Sequence, residues 1–295
     1  MQNRLEKIIE KENFTTFFSH LFTLLGTIFL ASGVMFFIAY NWEVLGKFFK
    51  FGIVEFAILG SFVLAYFLKE ESFGFKSAIV VGSFLIGVLL ALFGQVYQTG
   101  AQPYELFVTW VLLVLPIALL TKFSAIWLFE IVLINFIIFL YDFNYIMSYS
   151  ESRYAKIDTL FIVNFVILIA WSLLSNHISF LNKKYAIRFI ATLATFWGTV
   201  AVIQFMIDRH SSAIGILAYM FFMVYMFYRY RVKEIDIYIL SILLFSLNLS
   251  ALSLLARMKF HDILPILTIG TFIAVGGGFL SISWLKSIIG EEDEK

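Results

Sequence analysis

Residues 77–121 read SAIVVGSFLIGVLLALFGQVYQTGAQPYELFVTWVLLVLPIALLT. Two apolar runs, 77–93 and 104–121, flank the decapeptide Gly94–Pro103, which contains three glutamines and no charged residue. An α-helix rises about 1.5 Å per residue, so each run is long enough to cross roughly 30 Å of hydrocarbon. The stretch therefore predicts two transmembrane helices joined by a polar, uncharged connection.

Composition places most of the chain in a membrane. Hydrophobic residues make up 61% of the 295 residues, charged residues make up 14%, and the mean hydropathy is +0.93. Soluble proteins have roughly a quarter of their residues charged. Since so much apolar surface cannot all be buried in a water-soluble core, we expect the lipid bilayer to be the main partner of the chain.

Charge and motif content argue against several classes of function. A net charge of +1 gives no basic surplus to neutralise phosphates, so we expect no nucleic-acid partner. The chain has no cysteine, and its four histidines are scattered rather than set at metal-ligand spacing. It also lacks phosphate-binding and dinucleotide-binding glycine motifs and the zinc-protease helix motif. We therefore expect no metal and no cofactor, and the sequence does not favour an enzyme.

The apolar runs predict an all-α, polytopic transmembrane helix bundle of about ten spans. The first 17 residues form a short N-terminal segment, residues 18–121 a four-helix region, residues 122–286 six further helices, and residues 287–295 an acidic tail. The predicted spans are 18–40, 48–68, 77–93, 104–121, 124–141, 158–175, 185–207, 211–229, 236–256 and 262–284.

Basic residues predict the orientation of these spans. Ten spans place both termini on one face, and that face holds twice as many lysines and arginines as the other. Because cytoplasmic loops carry the excess of basic residues, we expect both termini in the cytoplasm. Two polar breaks then fall together on the outer face: Tyr40–Glu43, which follows the first span, and the decapeptide Gly94–Pro103.

The candidate binding residues come from these two breaks and the spans next to them. Glutamine supplies both hydrogen-bond donors and acceptors, and a carboxylate supplies acceptors and a charge. All the candidates are assigned to the outer half of four consecutive spans, which predicts an outward-opening polar pocket. They are Asn41, Glu43, Glu55, Gln95, Tyr97, Gln98, Gln102 and Glu105.

Two carboxylates are predicted to lie within the membrane. Glu55 is about seven residues into the second span, and Glu130 lies near the middle of the fifth. A carboxylate at such a depth is unfavourable unless it is paired, protonated or facing water. The pair is therefore a candidate proton or cation relay, with Glu55 as the inner wall of the pocket. The alternative is a protonated carboxyl that is hydrogen-bonded within the bundle.

The two polar breaks also carry a family resemblance. Gly33–Trp42, Gly94–Ala101 and Tyr104–Phe107 together resemble the bacterial membrane-protein family catalogued as domain of unknown function 2157, over roughly residues 20–120. The resemblance implies a multi-pass protein of the bacterial inner membrane and directs attention to the two breaks. It implies no reaction.

Three classes of function remain open. Many spans, intramembrane carboxylates and a polar connection favour a transporter or binder of a small molecule or ion. The second alternative is an accessory or structural subunit of a membrane complex, whose amide-rich breaks contact an unknown partner protein. The third is a membrane enzyme acting on a lipid-linked substrate, with Glu43 and Glu105 as acid and base.

Overall fold

The computed structural model describes residues 11–40, 44, 46–70, 72–141, 149–207, 213–257 and 263–293. No residue within these ranges lies in a β-strand, which confirms the all-helical prediction. The predicted site residues Asn41 and Glu43 lie outside the described residues.

Ten α-helices fall on the ten predicted spans within the described part of the chain. They are α1 (Lys11–Tyr40), α2 (Lys47–Phe67), α3 (Phe73–Tyr97), α4 (Pro103–Thr121), α5 (Ser124–Leu140), α6 (Tyr149–Leu174), α7 (Lys184–Ile207), α8 (Ala213–Phe227), α9 (Ile237–Ser253) and α10 (Ile263–Asp293). A π-helical turn, Tyr228–Lys233, follows α8, and a 3-10 turn, Leu254–Arg257, follows α9.

Six of these helices are long and apolar enough to cross a membrane: α2, α3, α4, α6, α7 and α10. The apolar stretches of α1, α5 and α9 are shorter, and α8 has 15 residues. The protein is therefore a membrane protein with several transmembrane helices.

The chain divides into two compact units, Met1–Ile137 and Ile138–Lys295. The first unit extends beyond the predicted four-helix region, which ends at residue 121. It does so because Ile126 and Leu133 of α5 pack in the same core cluster as Trp110 of α4. The fifth helix thus belongs for most of its length with the first four.

Trp110 organises the core of the first unit. Its indole Nε1 donates a hydrogen bond to the carbonyl oxygen of Ser83 on α3, at 2.8 Å. A Cβ atom at Gly87 would overlap the Trp110 ring, so only glycine allows α3 to approach α4 this closely. The ring also lies 5.5 Å from the Phe129 ring of α5, measured between centroids. One indole therefore links three helices.

Hydroxyl groups link three helices of the second unit. The Thr199 Oγ1 of α7 lies 2.6 Å from the Ser246 Oγ of α9, and the Tyr219 hydroxyl of α8 lies 2.6 Å from the same oxygen. All three residues are buried. Within a membrane, such bonds stabilise helix–helix contacts.

Two of the described carboxylates in the second unit are likewise paired. Asp158 of α6 accepts a hydrogen bond from the backbone N–H of Gly215, in the first turn of α8. Asp236 caps α9 by accepting from the N–H of Ile239 at 3.2 Å, and it forms an ion pair with Arg188 of α7 at 3.0 Å. Both acids thus tie one helix to another.

Candidate functional site

About half of the decapeptide Gly94–Pro103 is helical, and the rest forms an irregular connection. α3 continues through its first four residues and ends at Tyr97. Gln98 then adopts left-handed backbone angles (φ 45°, ψ 51°), and Gly100 also has a positive φ of 67°. Gln102 is extended and Pro103 begins α4. The true connection between α3 and α4 is therefore residues 98–102.

A cavity of about 710 Å³ lies at this end of the α3–α4 pair. The continuation of α3 sets Ala91 and Gln95 on one side at helical spacing, and Glu105 and Thr109 line the cavity from α4 at the same spacing. Gln98 lines it from the connection. Gln102 and the backbone of the connection complete the polar lining, while the apolar lining includes Leu90, Phe93 and Leu106.

The cavity offers hydrogen-bonding groups that have no protein partner. Gln95, Gln98, Gln102 and Glu105 are exposed, and their side chains make no hydrogen bond or ion pair with any described residue. No lysine or arginine is among the described residues that line the cavity. It therefore presents free amides and one carboxylate, with no fixed positive charge.

Apolar packing closes the inner side of the cavity. Leu90 and Leu106 line it and also pack against the core cluster that contains Trp110. Beside Trp110, the Phe107 ring lies 5.9 Å from the indole and 5.1 Å from the Phe136 ring of α5, between centroids. The cavity is thus a recess with a mostly apolar wall and a few polar side chains, and it lies against an aromatic core.

Tyr97, predicted as a binding residue, does not line the cavity. Its ring lies 4.8 Å from the Phe93 ring and 6.0 Å from the Phe51 ring of α2, between centroids. Its position at the end of α3 thus contributes to α2–α3 packing.

Glu55 was predicted to form the inner wall of the pocket, and the structure places it elsewhere. The preceding residue, Val54, is fully buried in a small cluster with Leu92 of α3. Successive residues of an α-helix point about 100° apart, so Glu55 is turned outward and is exposed. It does not line the cavity, and it makes no hydrogen bond with the Gln95–Gln102 segment or with any other described residue.

Glu130, the other member of the predicted relay, is buried in α5 with 4% of its surface exposed. Neither of its carboxyl oxygens has a hydrogen-bond partner among the described residues. It does not line the cavity either. The two predicted relay carboxylates thus occupy opposite environments, one exposed and one buried.

Thr109 and Phe93 line the cavity but were not predicted from the sequence. Thr109 follows Glu105 by one helical turn and donates a hydrogen bond to the Glu105 carbonyl oxygen at 2.9 Å. Helical spacing from Glu105 was a sufficient signal to find it. Phe93 carried no such signal, because it is one phenylalanine among 36.

The described lining of the cavity holds few groups with acid–base chemistry. Glu105 is the one titratable side chain in its lining, so no described acid–base pair is present there. Within the described ranges, no group of three or more histidine, aspartate or glutamate side chains is arranged to hold a metal ion.

Comparison with known proteins relates the N-terminal part of the chain to a family. No curated protein and no solved structure matches the chain. The model of a family described as predicted membrane protein (DUF2157) matches residues 2–127, which include the whole cavity. The match is longer at both ends than the resemblance read from the two polar breaks, and it includes the N-terminal segment. It confirms that resemblance: the N-terminal part of this chain matches the DUF2157 family of predicted membrane proteins.

Proposed function

We propose that the first unit binds a small cationic or polar solute in the cavity between α3 and α4, as a binder or transporter of the bacterial inner membrane. One observation carries the proposal. Three glutamine side chains and the Glu105 carboxylate face the same recess without a partner among the described residues, and no basic side chain accompanies them.

The lining favours a ligand with N–H donors and an apolar part. The amide oxygens and the carboxylate of Glu105 accept hydrogen bonds, and the carboxylate attracts positive charge. Phe93 and Leu106 offer apolar contact beside them. The volume of about 710 Å³ is that of a small-molecule site. An anion would face Glu105 with no lysine or arginine to balance it.

The distribution of basic residues supports an outward-opening site. The connection at residues 98–102 belongs to the face with fewer lysines and arginines, which is the translocated face. Leu90 and Thr109 lie six or seven residues from the helix ends, so the cavity reaches about 10 Å along the helices. A solute would enter from outside and reach membrane depth.

An accessory role is the second candidate, and one observation favours it. The polar residues of the lining are exposed rather than enclosed, so a polar segment of a partner protein could occupy the same recess. Such a partner would also satisfy the free amides.

A thermal-stability assay on the purified protein tests the first candidate. The probes are tetramethylammonium, ethylammonium and putrescine, with glycerol as a neutral solute and acetate as an anion. We expect at least one cation to raise the melting temperature. Glu105→Gln should weaken binding of that cation by up to about fivefold, since an exposed charge pair contributes at most about 1 kcal/mol.

Glu70→Gln is the matched control, because Glu70 is exposed on the connection between α2 and α3 and lies outside the cavity. It should leave the cation effect unchanged. Equal weakening by both variants, or stabilisation by acetate alone, would contradict the proposal. No response to any probe, together with a partner that protects Gln98 from chemical modification, would favour the accessory role.

A further inference from the structure

Glu130 is the most isolated acid in the described part of the first unit. It lies on the same stripe of α5 as Ile126 and Leu133, which are 0% and 2% exposed. Both are members of the core cluster that includes Trp110 and Val114. The Glu130 carboxyl therefore enters an apolar interior and not a water-filled space.

No charged group among the described residues compensates for this burial. The titratable residues of the adjacent helices α3 and α4 all lie in a first or last turn: Lys76, Tyr97, Tyr104 and Glu105. In α2, Lys47, Lys50 and Glu55 lie within three turns of the start and Tyr66 lies at the end, and α5 has no other titratable residue. In α1, whose Thr27 and Ile28 lie beside Phe129, the titratable residues are Lys11, Glu12 and His20 in the first three turns and Tyr40 at the end. Neither a charge nor a hydrogen bond from the described residues acts on the Glu130 carboxyl.

Two further polar atoms in the first unit share this condition. The indole Nε1 of Trp127, one turn before Glu130 on α5, is buried without a partner, and so is the Ser83 Oγ on α3. Buried polar atoms without partners are rare in native proteins, and each requires an explanation such as a bound water or ion. On α5, a donor at Trp127 and the acceptors of Glu130 are thus both without a partner among the described residues, three residues apart.

We infer that Glu130 is a proton-binding site in the interior of the first unit. An ionised carboxylate in an apolar membrane interior is strongly disfavoured, whereas the carboxylic acid is tolerated. The ligand is a proton: the carboxylate takes it from hydronium, releasing water, and returns it to water as hydronium. Exchange therefore requires water to reach the carboxyl, and the unpartnered Nε1 of Trp127, three residues away on the same helix, offers that water a hydrogen-bond donor.

The proton site at Glu130 is independent of the proposed solute site in the cavity. Phe129, the residue before Glu130, packs on Trp110, and Trp110 belongs to the core cluster beneath the cavity. Loosening of the Trp110 packing would expose Glu130 to water. The inference does not require that the cavity bind any ligand, so the two can fail separately.

Infrared spectroscopy of the full-length protein in lipid vesicles tests the inference. We expect a carbonyl band of a protonated carboxylic acid at neutral pH, which Glu130→Gln removes and Glu70→Gln retains. A lipid-soluble carbodiimide, which reacts with protonated carboxyls, should form an adduct that peptide mass spectrometry locates at Glu130. Its yield should fall as the pH rises.

The labelling uses the native protein, so it remains decisive if Glu130→Gln does not fold. A water-soluble carbodiimide should leave Glu130 unmodified. The inference is overturned if Glu130 forms no adduct with the lipid-soluble reagent. It is equally overturned if the acid band is identical in the native protein and Glu130→Gln, since an ionised Glu130 held by water or a metal cation gives no such band.

Discussion

The two units of this membrane protein differ in whether the acidic side chains named here have hydrogen-bond or ion-pair partners. In the second unit, Asp158 accepts from the Gly215 N–H, and Asp236 binds Arg188 and caps α9. In the first unit, neither the Glu105 nor the Glu130 carboxyl has a partner among the described residues. Paired groups stabilise helix packing, whereas unpaired groups remain available to a ligand or a proton. The paired acids of the second unit therefore serve helix packing, and the unpaired acids of the first unit are the candidates for the binding and protonation proposed above.

The largest loss of stability is expected when a side chain is added at a tightly packed glycine of the second unit. A Cβ atom at Gly198 would lie 2.8 Å from the Phe161 ring and 2.9 Å from the Tyr219 ring, both of which are buried. Gly198→Ala should therefore lower the free energy of unfolding in mixed micelles by about 1–3 kcal/mol. Gly94→Ala is the control, because a Cβ there meets nothing within 4 Å. Equal losses from both variants would show that the close packing assigned to the second unit is not real.

A smaller loss is expected from removing one hydroxyl of the second unit's network. Tyr219→Phe keeps the ring and deletes the bonds to Ser246 and Ser250. Thr199 and Ser246 can still bond to each other. We expect the free energy of unfolding to fall by about 0.6–1.7 kcal/mol, the range for interhelical hydrogen bonds in membranes. Solute binding should be unchanged; a loss of binding with stability intact would move the functional site into the second unit.

In the first unit we expect the reverse: a substitution in the cavity should weaken binding and leave the free energy of unfolding nearly unchanged. Gln95→Leu removes an exposed amide that has no partner among the described residues. Its free energy of unfolding should stay within about 0.5 kcal/mol of the native value. Binding of the cation identified in the stability screen should be weaker in a titration of the purified variant. A destabilised variant with normal affinity would make Gln95 a packing residue.

The smallest effect is expected at Glu55. Since this side chain is exposed and lies outside the cavity, Glu55→Gln should leave both stability and solute affinity unchanged. Titration calorimetry on the variant checks this expectation. Loss of binding would restore the original prediction that Glu55 forms a wall of the pocket.

The sequence was sufficient to predict the helices and part of the candidate site. Apolar length predicted ten helices because a span must match the thickness of the bilayer. The absence of charge in Gly94–Pro103 singled out the connection beside which Gln95, Gln98, Gln102 and Glu105 line one cavity. Each of these residues was predicted from residue type and position along a span.

The sequence did not predict how each helix is rotated about its own axis, that is, which face points into the protein. In a soluble helix an apolar stripe marks the buried face. Lipid is as apolar as a protein core, so the residues around Glu55 are apolar on every side and do not reveal that Val54 faces inward. The helical state of Gly94–Tyr97 was also missed, because glycine and glutamine suggested a loop while α3 in fact continues to Tyr97.

Measuring how accessible side chains are to water tests most directly the contrast between the open cavity of the first unit and the buried hydroxyl network of the second. The chain has no cysteine, so single-cysteine variants can be labelled without background. In intact membranes, Gln95→Cys should react with a membrane-impermeant maleimide added from outside, and the bound cation should slow the reaction. Ser246→Cys, which replaces a hydroxyl that is 1% exposed in the second unit, should remain unlabelled until the protein is denatured. Equal labelling of the two variants, or an unreactive Gln95→Cys beside a reactive Ser246→Cys, would contradict the account.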